Sequence, residues 1–213
     1  MKFDVERHLG AVERSVVALE RDGKPARAVT LARSYDTTVE DLWDATTNPE
    51  RLPRWFAPVR GDFRLGGRYQ IEGNAGGEIT ACAPPKLLAL TWEYGGDVSW
   101  VDLRLSAEGP ERARLRLTHT AHLSPHWQEY GPGAAGVGWE LALLGLALHL
   151  ADPTAPKPDE ESFAASPDGK AFIADGCKRW GEAAIVSGED AERALAAARR
   201  TAAFYTGETG GTS

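Results

Sequence analysis

The run VRGDFRLGGRYQIEGNAGGEITACAPPKLLALTWEYGGDVSWVDLRLSAEGPERARLRLTHTAH, residues 59–122, decides the fold. It breaks into VRGDFR, GRYQIEG, GEITACA, KLLALTWEY, VSWVDLRLS and RARLRLTHTAH, each with the period-two alternation of a strand. The separators are Gly66-Gly67, Gly73-Asn74-Ala75-Gly76-Gly77, Pro84-Pro85, Gly95-Gly96-Asp97 and Glu108-Gly109-Pro110. Links this short leave no room for crossover helices, so six strands must pair antiparallel. A doubly wound nucleotide fold is excluded on the same ground.

Before this run stand two β-leaning stretches, VERSVVAL (12–19) and ARAVTLARSY (26–35). Asp22-Gly23 lies between them and predicts a hairpin, with a loop longer than two residues. Thr37 and Glu40 make a capping box for a helix whose apolar side is Val39, Leu42, Trp43 and Thr46. Asn48 as cap and Pro49 at the first helical position then start a second short helix, with Leu52, Trp55 and Phe56 on its apolar side.

After the strands, the link YGPGAAG (130–136) leads into VGWELALLGLALHLAD, apolar nearly all round and so expected to be buried on most sides. Its greasiest part, LALLGLAL (141–148), is too short to cross a bilayer. Residues 152–169 are proline-rich and acidic and read as a linker. Ile173, Cys177, Trp180 and Ala184 share one helical face beyond it, and Ala191, Leu195 and Ala198 share another. The tail GETGGTS should fray. Residues 1–151 are expected to form one domain. Residues 152–213 are expected to be a linker and helical extension packed on it.

Composition narrows the function. The 213 residues carry 24 Lys+Arg and 31 Asp+Glu, and 24 − 31 = −7 argues against a nucleic-acid partner. No basic run points to a membrane surface. Cys82 and Cys177 have no metal or disulfide spacing and are expected to be buried thiols of a cytoplasmic protein. The N-terminus has no apolar segment of the signal-peptide kind.

A sheet with one solvated face must bury the other, and the long apolar helix is the element able to cover it. The expected class is therefore α+β, a curved antiparallel sheet wrapped around one long C-terminal helix, with extra helices after it. A gap between helix and sheet would hold a small apolar ligand.

The chain also resembles a family. The segments carrying the likeness are DTTVEDLWDATTNPERLPRWFAPVRGDFRLGGRYQIEG, GEITACAPPKLLALTWEY, RLRLTHTAHL and GVGWELALLGLALHL. Within them lie the Leu42–Trp55 helix pair, GGRY at 66–69, the Pro84–Trp92 run and Gly138-Trp139. They are similar to bacterial relatives of the activator of the heat-shock-protein-90 ATPase, in the START-like (SRPBCC, Bet v 1-like) superfamily. The likeness covers residues 27–150 and implies a helix-grip fold. It leaves function open, since superfamily members bind lipids, pigments and polyketides and some catalyse cyclisation.

Alternation places Tyr69 and Ile71, then Leu88, Leu90, Trp92 and Tyr94, then Val101, Leu103 and Leu105, then Leu115, Leu117 and His119 on the inner side. The expected ligand-binding residues are Trp55, Phe56, Tyr69, Ile71, Trp92, Leu103, Leu117, His119, Trp139 and Leu143. The aromatics offer broad apolar faces, and His119 is the titratable group turned inward. Each is also an ordinary core residue on the same pattern.

His119, His122 and His126 spell H-x2-H-x3-H, but 119 and 122 point to opposite faces of a strand, which argues against metal. Gly131, Gly133 and Gly136 precede a helix without the parallel strand that a dinucleotide fingerprint needs. No cofactor is implied. Trp100 falls on the outer face and needs a cover, from the C-terminal helices through Trp180 or from a second subunit. A homodimer stays open. Two other functions remain open beside ligand binding: a cyclase or lyase acting on a polyketide-like substrate, and a co-chaperone-like interaction protein. The sequence does not name the ligand.

Overall fold

A computed structural model describes residues 3–207, and the tail beyond Gly207 lies outside the described residues. The elements in order are α1 (Val5–Gly10), β1 (Glu13–Arg21), β2 (Lys24–Tyr35), α2 (Val39–Thr47) and a 3-10 turn (Leu52–Arg54). The strands β3 (Val59–Gly61), β4 (Arg68–Ile71), β5 (Gly76–Ala83), β6 (Leu87–Tyr94), β7 (Asp97–Gly109) and β8 (Arg112–His122) follow. The helices α3 (Pro125–Tyr130), α4 (Gly133–Ala151), α5 (Glu160–Ala165), α6 (Pro167–Val186) and α7 (Ala191–Thr206) complete it. The strands form one eight-stranded sheet in the order β1-β2-β8-β7-β6-β5-β4-β3. From β3 to β8 every neighbouring pair along that order is antiparallel, as the short links require.

Local chemistry corrects several expectations. The hairpin loop is two residues, not longer. Asp22 (φ 52°) and Gly23 (φ 72°) both adopt left-handed backbone, the signature of a type I′ turn that matches strand twist. The cap of α2 is Thr38, one residue later than expected: its hydroxyl accepts from the Asp41 amide at 3.1 Å. The Thr37 hydroxyl instead donates to the Asp41 carboxylate at 2.6 Å. Asn48 ends α2, and the next turn starts at Leu52, not Pro49.

Three short helices were hidden by polar composition. Asp4 caps α1. Ser124, with Pro125 in the first turn, caps α3 just before the expected link. Asp159 caps α5 inside the expected linker, and Ser166-Pro167 opens α6 there as well. Cys82 is exposed and Cys177 buried, so only one of the two thiols is a core group. Cys82 lies near the end of β5, next to the Pro84-Pro85 turn, where Ala83 and Pro84 are exposed as well.

The chain forms two compact units. One holds, among the described residues, the chain up to Leu31, His122–Leu141 and the chain from Pro158 onward; the other holds Ala32–Ala121 and Ala142–Lys157.

In the first unit, α6 buries Phe172, Ile173, Cys177 and Trp180, and the small residues Ala194, Ala197 and Ala198 of α7 are buried too. Gly136 of α4 is needed for close approach: a Cβ there would stand 2.2 Å from the Trp180 ring. Trp180 is therefore spent on α4. Glu140 is 1% exposed and ion-pairs with Arg14 of β1. Arg14 also donates to the carbonyls of Val12 (2.8 Å) and Leu9 (3.1 Å), tying α1 and β1 to the same carboxylate. Burial pushes the Glu140 pKa up, and Arg14 opposes the shift.

In the second unit, Gly145 of α4 lets the helix approach the 3-10 turn, for a Cβ would meet the Trp55 carbonyl at 2.7 Å. The Trp55 indole N–H donates to the Ala45 carbonyl at 2.9 Å. The Tyr35 hydroxyl donates to the Leu143 carbonyl at 3.4 Å. Arg51 gathers Asp41 (2.6 Å), Asp44 (3.1 Å) and His149 of α4 (3.0 Å).

The apolar run of α4 extends past the eight residues 141–148. At 19 residues and mean hydropathy 1.5, it is the one helix among the described residues long and apolar enough to cross a membrane. Within the fold it carries the paired Glu140 and the hydrogen-bonded His149.

Candidate functional site

The register of β4 to β8 places the expected residues row by row. Leu88 stands opposite Leu103, and Leu103 opposite Leu117. Leu90 stands opposite Val101, and Val101 opposite His119. Directly opposed residues in an antiparallel sheet turn their side chains to one face, so both rows share a face with Trp92 and Ile79. At the β4 end, Tyr69, Ile71 and Ile79 form a buried cluster with Phe56, Val59, Leu88, Leu90 and Trp92 packed against it.

Nine of the ten expected site residues lie in this second unit. Trp55 is buried and tilts against Phe56 with ring centroids 5.5 Å apart. Tyr69 is buried and donates to the Thr91 carbonyl at 2.6 Å, reaching past Gly77, its register partner on β5. That burial holds its phenol neutral. Ile71, Leu117 and Leu143 are buried, while Phe56, Trp92, Leu103 and His119 are half-buried. Trp139 is half-buried and belongs to the first unit. Tyr94, placed by alternation on the same face, is 63% exposed at the β6–β7 turn.

The polar centre of the face is His119. Its Nε2 lies 2.8 Å from the Ser99 hydroxyl, which in turn donates its one proton to the Trp92 carbonyl at 3.1 Å. Ser99 must therefore accept from His119, which sets the proton on Nε2. Burial lowers the imidazole pKa from 6.5 to about 4, so the ring is neutral at physiological pH. The Trp92 ring sits 6.0 Å from it, tilted by 53°.

Sequence reasoning missed Ser99, although it stands two residues before Val101 and hence on the same face. It also missed Glu140, whose signal was a lone carboxylate in an apolar helix. The H-x2-H-x3-H run divides as strand geometry requires: the His122 ring pairs with the Arg21 carbonyl at 3.0 Å, and His126 packs on Tyr130. Among the described residues no group of three or more His, Cys, Asp or Glu is placed to hold a metal ion.

An antiparallel sheet with a long helix following it is the arrangement of the α+β helix-grip class of START-like proteins. The family described as Activator of Hsp90 ATPase homolog 1-like protein matches residues 36–151, more than half of the chain. This chain belongs to that family.

Among solved structures, the crystal structure of CalU16 from Micromonospora echinospora is 32% identical, with a TM-score of 0.66 over 82% of this chain and 99% of CalU16. Its solution structure gives 33% identity and a TM-score of 0.70 over 84% and 97%. EF2215 from Enterococcus faecalis, a conserved protein of unknown function, is 15% identical with a TM-score of 0.60 over 87% and 96%, and shares the fold alone. DynU16, a protein in the dynemicin biosynthetic locus, is 21% identical with a TM-score of 0.51 over 59% of this chain and 48% of its own, again a likeness of fold. A search of the curated proteins found no match.

Proposed function

We propose that the chain binds a small apolar or aromatic ligand on the face carried by β5 to β8, with the His119–Ser99 pair as its polar contact. The observation behind this reading is incomplete burial. Leu88, Leu90, Trp92 and Leu103 lie on β6 and β7, interior strands of the sheet, yet each is only half-buried, beside the buried Val101, Leu105, Leu115 and Leu117. A face that served as core alone would cover the first group as fully as the second. Apolar surface left partly open around one hydrogen-bonding group is the ordinary make-up of a small-molecule site.

The aromatic residues Phe56, Tyr69 and Trp92 at one end of the face make a small aromatic compound the first ligand class to try. A cyclase or lyase reading has less behind it. Burial lowers the His119 pKa to about 4, which makes it a weaker base than an imidazole tuned to neutral pH.

The test is a fluorescence titration with the neutral apolar probe N-phenyl-1-naphthylamine. Leu103→Trp places a large ring on a half-buried position, where it fills space without overpacking the core. This variant should keep the wild-type circular dichroism and bind the probe at least about tenfold more weakly. Undiminished affinity in the folded variant would remove this face as the site.

A further inference from the structure

We propose that β1 is the docking edge for a second copy of this chain, pairing antiparallel with the β1 of its partner about a two-fold axis through Val17. The sheet has two edges, β1 and β3. β3 has three residues and is too short to template another strand, whereas β1 has nine. The outward residues of β1 are apolar at its centre, with Val17 51% and Leu19 36% exposed. Natural edge strands are commonly protected there by a charge, a proline or a bulge, and this one carries none of them at its middle.

The register follows from the hairpin. A two-residue turn at Asp22-Gly23 makes Arg21 and Lys24 the closing hydrogen-bonded pair. Counting back by twos, the odd residues of β1 turn their backbone N–H and C=O toward β2, and the even ones toward the open edge. In a pairing centred on Val17, residue i meets residue 34 − i, so even residues meet even ones and the ladder can form. The side chains then fall into place. Glu13 meets Arg21 at both ends of the interface, Ser15 meets Leu19, and Val17 meets Val17 at the close, non-hydrogen-bonded position. Sliding the strands by two residues in either direction sets neither Glu13 opposite Arg21 nor Val17 opposite itself. Arg14 stays with Glu140, and Arg21 lies 4.0 Å from Asp22, close enough for one guanidinium to serve both carboxylates. The same patch used twice is the isologous contact of a two-fold dimer.

Sedimentation equilibrium of the full chain tests this. The wild type should weigh twice its chain mass, falling toward one on dilution. Val17→Lys sets two ammonium groups face to face and should give the single chain mass. Ala18→Pro removes an N–H that points to the open edge and none that bonds β2, so it should do the same with the circular dichroism retained. Glu13→Arg should weaken the dimer at least about tenfold, and adding Arg21→Glu should restore it. A wild type that stays single at every concentration overturns the proposal. So does a dimer that survives both Val17→Lys and Ala18→Pro, or one that the double charge swap fails to restore.

Discussion

His119 sits among apolar side chains with Ser99 as its hydrogen-bond acceptor, and its protonation is coupled to folding. The folded ring titrates at about 4 against 6.5 when solvated. Between those values the unfolded chain binds a proton that the folded chain refuses. The contribution is therefore complete above about 6.5 and is lost as the pH falls toward about 4, by at most roughly 3 kcal/mol. His119→Gln keeps a donor for Ser99 and removes the titration, so urea midpoints across that window should flatten. An unchanged slope would contradict a neutral ring with a lowered pKa. The inward direction of this histidine was legible because strand alternation has a period of two, and the same rule placed Tyr69 and Ile71. The Ser99 partnership was not, since a hydroxyl announces no partner until the register sets Trp92 beside it. Cys82 was misjudged because residue type speaks for burial on average, and its place near the end of β5 overrides the average.

At the scale of elements, α4 shows how much one helix can carry. Its glycines are contact points: Gly136 receives the Trp180 ring and Gly145 the Trp55 carbonyl. Gly136→Ala adds a methyl where the ring already stands at 2.2 Å, so α6 or α4 must shift. The expected cost is about 1–3 kcal/mol, read as a lowered midpoint of thermal unfolding. An undisturbed midpoint would mean that Trp180 is not packed on α4 as described. The strands from β3 to β8 and the long helix were legible because alternation and continuous apolarity are strong signals. Helices α1, α3 and α5 were not. Each has six residues, too few for a periodic pattern to emerge, and their cap side chains looked like loop composition.

At the scale of the whole molecule, the antiparallel pairing from β3 to β8 follows from links too short for any other connection. What the sequence could not supply is how much of the sheet face is left open, because half-burial is a property of what packs above a residue.

The central claim is that a ligand sits on the face of Leu88, Leu90, Val101 and Leu103, beside His119. Methyl-resolved nuclear magnetic resonance of leucine- and valine-labelled protein, titrated with N-phenyl-1-naphthylamine, tests it most directly. The account predicts saturable shifts on the methyls of those four residues, with the exposed methyls of Leu65 and Val186 unmoved. Shifts confined to exposed methyls such as Leu65 and Val186, or no saturable shift on that face, would contradict it.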